Sequence, residues 1–353
     1  MLKHNGRARI DSDYSLADVW ALRYRPDFSP LEKSSWSIAL GEIYEALFAS
    51  GRKEISIKLS RPVIEEACKL STARTVNLYV QFDQLNVQAI NQLVILFSQL
   101  YLQLIETYQA YPPVPRVSEQ ELARLPLKEL GNAFRLSKLT EVADTVEPFL
   151  HKVRLQSAVE DNWKTQSYLT AQVNFTNALL LSRLDPVEQT LVRPYLKFLE
   201  DQVVIPWLRL CNAAESRGEM SPQVSVVRRL LPKVSEISLE AHRRWQKQFP
   251  NYYSHRGGLS NVGVMHSSIR DFDMFQVYLW LSFLQGNFQA VEKELLVFSA
   301  DVYGKIGIPW KMTKDGTKLL VATMLENLNA VEVPLVSKFM DDILYLVETY
   351  PVM

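Results

Sequence analysis

Cysteine is nearly absent from this 353-residue chain. Cys68 and Cys211 are its only two, and their separation matches no metal-ligand or redox spacing. A disulfide framework is excluded, and a reducing compartment is the natural setting. Glycine is also scarce, at 12 residues, which argues against a turn-rich all-β fold or an enzyme built on glycine loops. Net charge is zero, with 39 basic and 39 acidic residues, so no electrostatic footprint for nucleic acid is present. The longest apolar-rich run, Ala89 to Ile105, is broken by Asn91, Gln92, Ser98, Gln99 and Gln103. That pattern predicts a buried or amphipathic helix, not a membrane span. Met1 to Asp13 is polar, so no secretory leader is expected. The sequence has no GxSxG, P-loop, GxGxxG or HExxH motif. The acidic pairs Glu65-Glu66 and Asp341-Asp342 are adjacent on helical stretches and point in different directions, so neither forms an acid/base dyad. No catalytic residue and no metal-ligand set is assigned, and the chain is expected not to be an enzyme.

What is present is helical periodicity interrupted by turn signals. Residues 1–34 are polar and mixed, with breakers at Pro26 and Pro30, and read as a loosely ordered arm. Trp36, Leu40, Ile43, Tyr44 and Leu47 recur at helical spacing, and Gly51 is expected to end that helix. Ile55, Ile57 and Leu59 alternate with charged residues, as do Val76, Leu78, Val80 and Phe82 with polar ones. Both read as strands. With a short helix from Pro62 to Leu70 and a long one from Val87 to Tyr108, residues 35–110 are expected to form a small α+β domain. Pro112, Pro113 and Pro115 mark a linker, and 111–159 reads as that linker plus connecting helices. From there to the end, residues 160–353, the chain reads as helix after helix with no internal repeat.

One stretch is more specific, the 33 residues from Arg243 to Phe275. A basic, aromatic helix end leads to Pro250, then to Gly257-Gly258, Asn261 and Ser268-Ile269-Arg270-Asp271. Further landmarks follow in order: Tyr278-Leu279-Trp280-Leu281, Gln285-Gly286-Asn287, and Val302-Tyr303-Gly304-Lys305-Ile306-Gly307-Ile308-Pro309. Upstream, Leu184-Asp185-Pro186 with Glu188 supplies an N-cap, a first-turn proline and the third-position acid of a capping box. This series resembles the phycobiliproteins (phycocyanin and allophycocyanin) over about residues 160–350. The resemblance implies a mainly α, globin-like helical domain preceded by the small α+β domain.

In that family a cysteine links the bilin, and its position here is Ser268, whose hydroxyl cannot form the thioether. The resemblance implies that Asp271 would face pyrrole nitrogens and Arg270 a propionate, with Asn261 and His266 nearby. The rival reading of Arg270 and Asp271 is a helix start favoured by the dipole. His255 and His266 flank the loop, but no second ligand spacing accompanies them. His242 lies with Arg228, Arg229, Lys233, Arg243, Arg244 and Lys247 on a basic stretch that reads as a solvated face or a meeting point for an acidic partner.

The helix from Tyr168 to Leu181 carries Phe175, Leu179 and Leu180, and the resemblance makes them candidate interface anchors. The expectation is a pigment-free, non-catalytic docking or regulatory protein of a phototroph, cyanobacterial by analogy. It would bind itself or another globin-like, phycobilisome-type subunit, in the cytoplasm or at the cytoplasmic face of thylakoids. No cofactor is expected. The alternatives are a sensor holding a tetrapyrrole, haem or fatty acid non-covalently, and a bilin-modifying enzyme.

Overall fold

The computed structural model describes residues 15–32, 40–47, 49–79, 87–110, 114–115, 118–122, 124–135, 139–157, 162–254, 257–305 and 307–351. In chain order the first helices are α1 (Leu16–Ala21), α2 (Ser29–Glu32), α3 (Leu40–Leu47), α4 (Ala49–Lys58), α5 (Arg61–Tyr79) and α6 (Val87–Ala110). Then come α7 (Glu119–Leu122), α8 (Leu127–Leu130), α9 (Leu139–Ser157), α10 (Asn162–Leu181) and α11 (Pro186–Val204). The last are α12 (Trp207–Arg217), α13 (Pro222–Leu230), α14 (Val234–Gln248), α15 (Val262–Gln285), α16 (Leu296–Lys305), α17 (Trp310–Glu326) and α18 (Val333–Thr349). A π-helical turn, Val291–Leu295, precedes α16. Extended pairing among the described residues is confined to two antiparallel ladders of two residues per strand. Val114–Pro115 (β1) pairs with Phe134–Arg135 (β2), and Tyr253–Ser254 (β3) with Gly257–Gly258 (β4). The fold is mainly α, as expected.

The small α+β domain is corrected: both predicted strands are helical. Ile55 and Leu59 are four residues apart and share one buried face of α4 and the turn after it, while Ile57 points outward at 63 % exposure. The alternation was one residue of a helical pattern away from a strand pattern, and burial of the i, i+4 pair decides between them. Arg74 to Tyr79 belongs to α5, which buries Ser71, Thr72 and Thr75; Val80 and Phe82 lie outside the described residues. Gly51 does not end a helix. It lies inside α4, where a Cβ would come within 2.5 Å of the Glu45 carbonyl oxygen, so glycine permits the close approach of α3 to α4.

The chain divides into two compact units, Met1–Arg23 with Pro206–Met353, and Tyr24–Ile205. In the second of these, α10 runs along α5 and against α11, and α9 packs on α6. Buried polar side chains fix these contacts. Gln172 donates to the Cys68 carbonyl at 3.1 Å and accepts from Thr72 at 3.1 Å, and Tyr101 donates to Asn177 at 2.7 Å. Within the segment 111–159, α9 packs on α6.

The other unit is built around α15. From Phe272 to Leu284 it buries every residue except Tyr278, and α12, α13, α14, α17 and α18 surround it. The expected loose arm is partly corrected here. Ser15 caps α1 in a capping box with Asp18, and Leu16, Val19, Trp20 and Ala21 are buried in this unit. Residues 1–14 lie outside the described residues.

Asp185 opens α11 with the expected box: its carboxylate accepts from the Glu188 N–H at 2.9 Å, and Glu188 accepts from the Asp185 N–H at 3.0 Å. Asp185→Ala should lower unfolding stability by about 1 kcal/mol with an unchanged denaturant slope in a urea titration.

Candidate functional site

The signature stretch converges on one small cavity. It has a volume of about 40 Å³ and is lined by Trp245 of α14, Ser268, Asp271 and Phe272 of α15, Tyr303 of α16 and Met312 of α17, among others. Local sequence explains how each is delivered. Asn261 caps α15, accepting from the Gly263 and Val264 N–H groups at 3.0 and 3.4 Å, and Gly286 closes that helix in the left-handed conformation at φ 70°. Gly307, at φ 82°, turns the chain after α16 so that Ile308 N–H reaches the Tyr303 carbonyl at 2.7 Å. Gly257, at φ 119°, closes the β3–β4 hairpin against the Asn261 side chain. Each of these glycines sits where a Cβ would strain the backbone.

The cavity is tight because aromatic side chains fill it. Trp245 donates to the Met312 carbonyl at 2.9 Å and meets Phe272 edge-on, with ring centroids 5.8 Å apart. Both lie against Gly316 of α17, where an added Cβ would come within 3.3 Å of the Trp245 indole nitrogen. Phe275 stacks on Tyr303 at 6.4 Å. A helix-interior glycine is unfavourable in isolation, and here it admits the indole. The remaining volume suits a water molecule or two, whose share of liquid volume is about 30 Å³. The Thr313 hydroxyl lines it and is buried without a hydrogen-bond partner.

Of the residues singled out from sequence, Ser268 and Asp271 line the cavity. The Ser268 hydroxyl donates to the Val264 carbonyl at 2.9 Å, one turn back along α15. Arg270 pairs with Asp271 at 3.2 Å. Burial pushes the Asp271 carboxyl above its ordinary value, while the Arg270 charge and hydrogen bonds from Arg270 and Tyr303 pull it back down. Asn261 is engaged as the helix cap, and His266 is exposed outside the cavity lining. His255 lies outside the described residues. The walls contributed by Trp245, Met312 and Gly316 escaped the sequence reading, because nothing local marks a tryptophan on one helix and a glycine on another as neighbours.

Neither thiol is available as a substitute attachment point. Cys68 is fully buried and its thiol is pushed up to about 11 by burial; Cys211 is buried and pushed up further. No group of three or more His, Cys, Asp or Glu residues that could hold a metal ion occurs among the described residues.

The candidate interface residues are corrected in part. Leu180 is fully buried, as are Val173 and Leu169, while Phe175 and Leu179 are half-buried. α10 packs along α5 of the same unit. The basic stretch is likewise internally paired. Arg228 is bound to Glu219, Arg229 to Glu332 and the Asn327 carbonyl, and Arg244 to Glu240 and, through two bonds of 2.8 and 2.7 Å, to Glu326. His242 is not on that surface at all, being 1 % exposed and edge-on to Trp245.

Residues 211–345 match the family model described as phycobilisome protein. The match contains α13 to α17, the cavity and the Ser268–Asp271 motif, and is consistent with a phycobiliprotein-like domain in this part of the chain. No curated protein and no solved structure matches the chain. No helix of the described residues is long and apolar enough to cross a membrane.

His242 gives the domain a signed pH dependence. Burial lowers its pKa below the ordinary 6.5, and its Nε2 atom is buried without a partner, so folding favours the neutral form. The unfolded chain takes up a proton near its ordinary value, so the contribution is complete above that value and is lost as pH falls through the lower folded one. Unfolding free energy should drop by up to about 1.4 kcal/mol per pH unit in that window. His242→Phe should flatten the profile, read from urea midpoints between neutral and mildly acidic pH.

Proposed function

We propose that this phycobiliprotein-like domain works without a pigment, as a non-catalytic binding module whose partner is another phycobilisome-type subunit. The observation that carries the reading is the filled cavity. Ligand pockets for molecules of cofactor size span roughly 300–1,000 Å³, against about 40 Å³ here. Trp245, Phe272, Phe275 and Tyr303 form much of the cavity's wall. Ser268 supports the same reading, since its oxygen cannot supply the thioether and is bonded to its own helix. Family membership of residues 211–345 supports association with phycobilisome subunits, at the cytoplasmic face of the membranes that carry them. α10 packs along α5 within its unit, with Phe175 and Leu179 half-buried. Asp271, Arg270 and Tyr303 are a structural cluster in this reading, holding α15 against α16.

The protein purified from a bilin-producing host should be colourless, and its denatured band should show no zinc-enhanced fluorescence. Titration of the folded protein with free biliverdin should give no saturable binding. A coloured preparation, or saturable binding weakened by Asp271→Ala, would overturn the reading in favour of a sensor. Loss of a carboxylate facing pyrrole donors would cost about 1–3 kcal/mol, roughly a 5- to 150-fold drop in affinity.

A further inference from the structure

The amino-terminal segment Ser15–Arg23 is packed against the phycobiliprotein-like unit, although the next 182 residues of the chain, Tyr24–Ile205, belong to the other unit. It touches α12, α13 and the 3-10 turn Leu231–Lys233. Its contacts repeat at helical spacing. Leu16, Val19 and Trp20 are at most 2 % exposed, and Arg23 follows three residues after the tryptophan. Trp20 stacks on Trp207 with centroids 6.2 Å apart and planes at 20°. The Arg23 guanidinium lies 5.3 Å from the Trp207 ring centre, donates to Ser235 at 2.9 Å, and pairs with Asp273 of α15, whose side chain is 4 % exposed.

Two features bear on how this segment is held. A six-residue helix does not hold itself together in water, so α1 is helical because the groove makes it so. The fit also leaves polar atoms unsatisfied: Asp273 Oδ1 and Trp207 Nε1 are buried without hydrogen-bond partners. A buried carboxylate with one oxygen unused still favours a forked guanidinium, and an indole N–H favours an acceptor.

We infer that α1 is an in-cis occupant of a helix-docking groove, and that the groove's partner in trans is a short helical segment of another subunit. That segment is apolar at positions i and i+3, aromatic at i+4 and arginine at i+7, with its arginine seated on Asp273. The resident segment, which carries that pattern as Leu16, Val19, Trp20 and Arg23, keeps the groove closed until such a segment displaces it. This rests on reading the domain as a binding module and names the chemistry of its partner. Charge complementarity selects arginine, because a buried carboxylate without a cation is strongly disfavoured. Lysine lacks the planar fork that also lies over Trp207.

The test uses the full-length chain and a synthetic peptide of residues Ser15–Arg23. Arg23→Ala should melt below the wild type, and the peptide should raise its Tm in proportion to the logarithm of peptide concentration. A peptide carrying Ala in place of Arg23 should need at least about tenfold more for the same shift, a difference of about 1.4 kcal/mol. No Tm response, or equal responses to both peptides, overturns the groove. Arg23→Lys keeps the cation and guards against a variant that fails to fold. In that chain the arginine peptide should accelerate amide exchange at Leu16–Ala21, and unchanged exchange overturns displacement. A coloured purified protein would remove the pigment-free reading without touching the peptide titration. A silent peptide with a colourless protein would remove the groove alone.

Discussion

α15 is buried on nearly every side along its carboxy-terminal half, and the chemistry of the unit around it follows from that. A helix so enclosed cannot send its polar side chains to water, so a partner inside is strongly favoured. Gln276 donates to the Val234 carbonyl and to Ser238 of α14 at 2.9 and 2.6 Å. Asp273 takes Arg23, and Asp271 takes Arg270 and Tyr303. These three partnerships reach three different neighbours. Removing one partner of such a pair leaves the other buried and unpaired, which is costlier than never having had the pair. Orientation of the surrounding helices is thereby specified by polar groups within an otherwise apolar core.

The same enclosure shapes the cavity. Aromatic side chains supply large apolar area, and Trp245 and Phe272 meet edge-on while Gly316 gives them room against the backbone of α17. Trp245 is anchored where it is by its bond to the Met312 carbonyl, so the filling is fixed by a directed interaction as well as by packing.

How much of this was legible in the sequence depends on the range over which each signal acts. Turns and caps are local, and Asp185-Pro186 with Glu188 opens a helix where its chemistry predicted one. Ile55, Ile57 and Leu59 misled because three positions satisfy period 2 and period 3.6 almost equally, and only burial of Ile55 and Leu59 with Ile57 outside separates them. Gly51 misled because a glycine demanded by a close backbone approach looks the same in sequence as one that ends a helix. Leu180 read as an interface anchor because apolar character does not say whether the cover comes from another molecule or, as here, from within the same unit. The capping box at Ser15 and Asp18 was readable and went unused, and it would have placed a helix inside the supposed arm.

Arg23 and Asp273 are 250 residues apart, and no local pattern couples them. Their pairing matters beyond stability because it joins a charge on a short, peripheral segment to a charge on the most enclosed helix of the unit. A segment held only by packing could be exchanged for any apolar helix of similar width. One held by a buried ion pair discriminates, since an occupant without a guanidinium strands Asp273 in a low-dielectric site. Apolar contact through Leu16, Val19 and Trp20 supplies area, and the carboxylate supplies the choice of partner. That division of labour is what a docking surface needs if it is to stay closed in the free protein and open only to a segment that brings both.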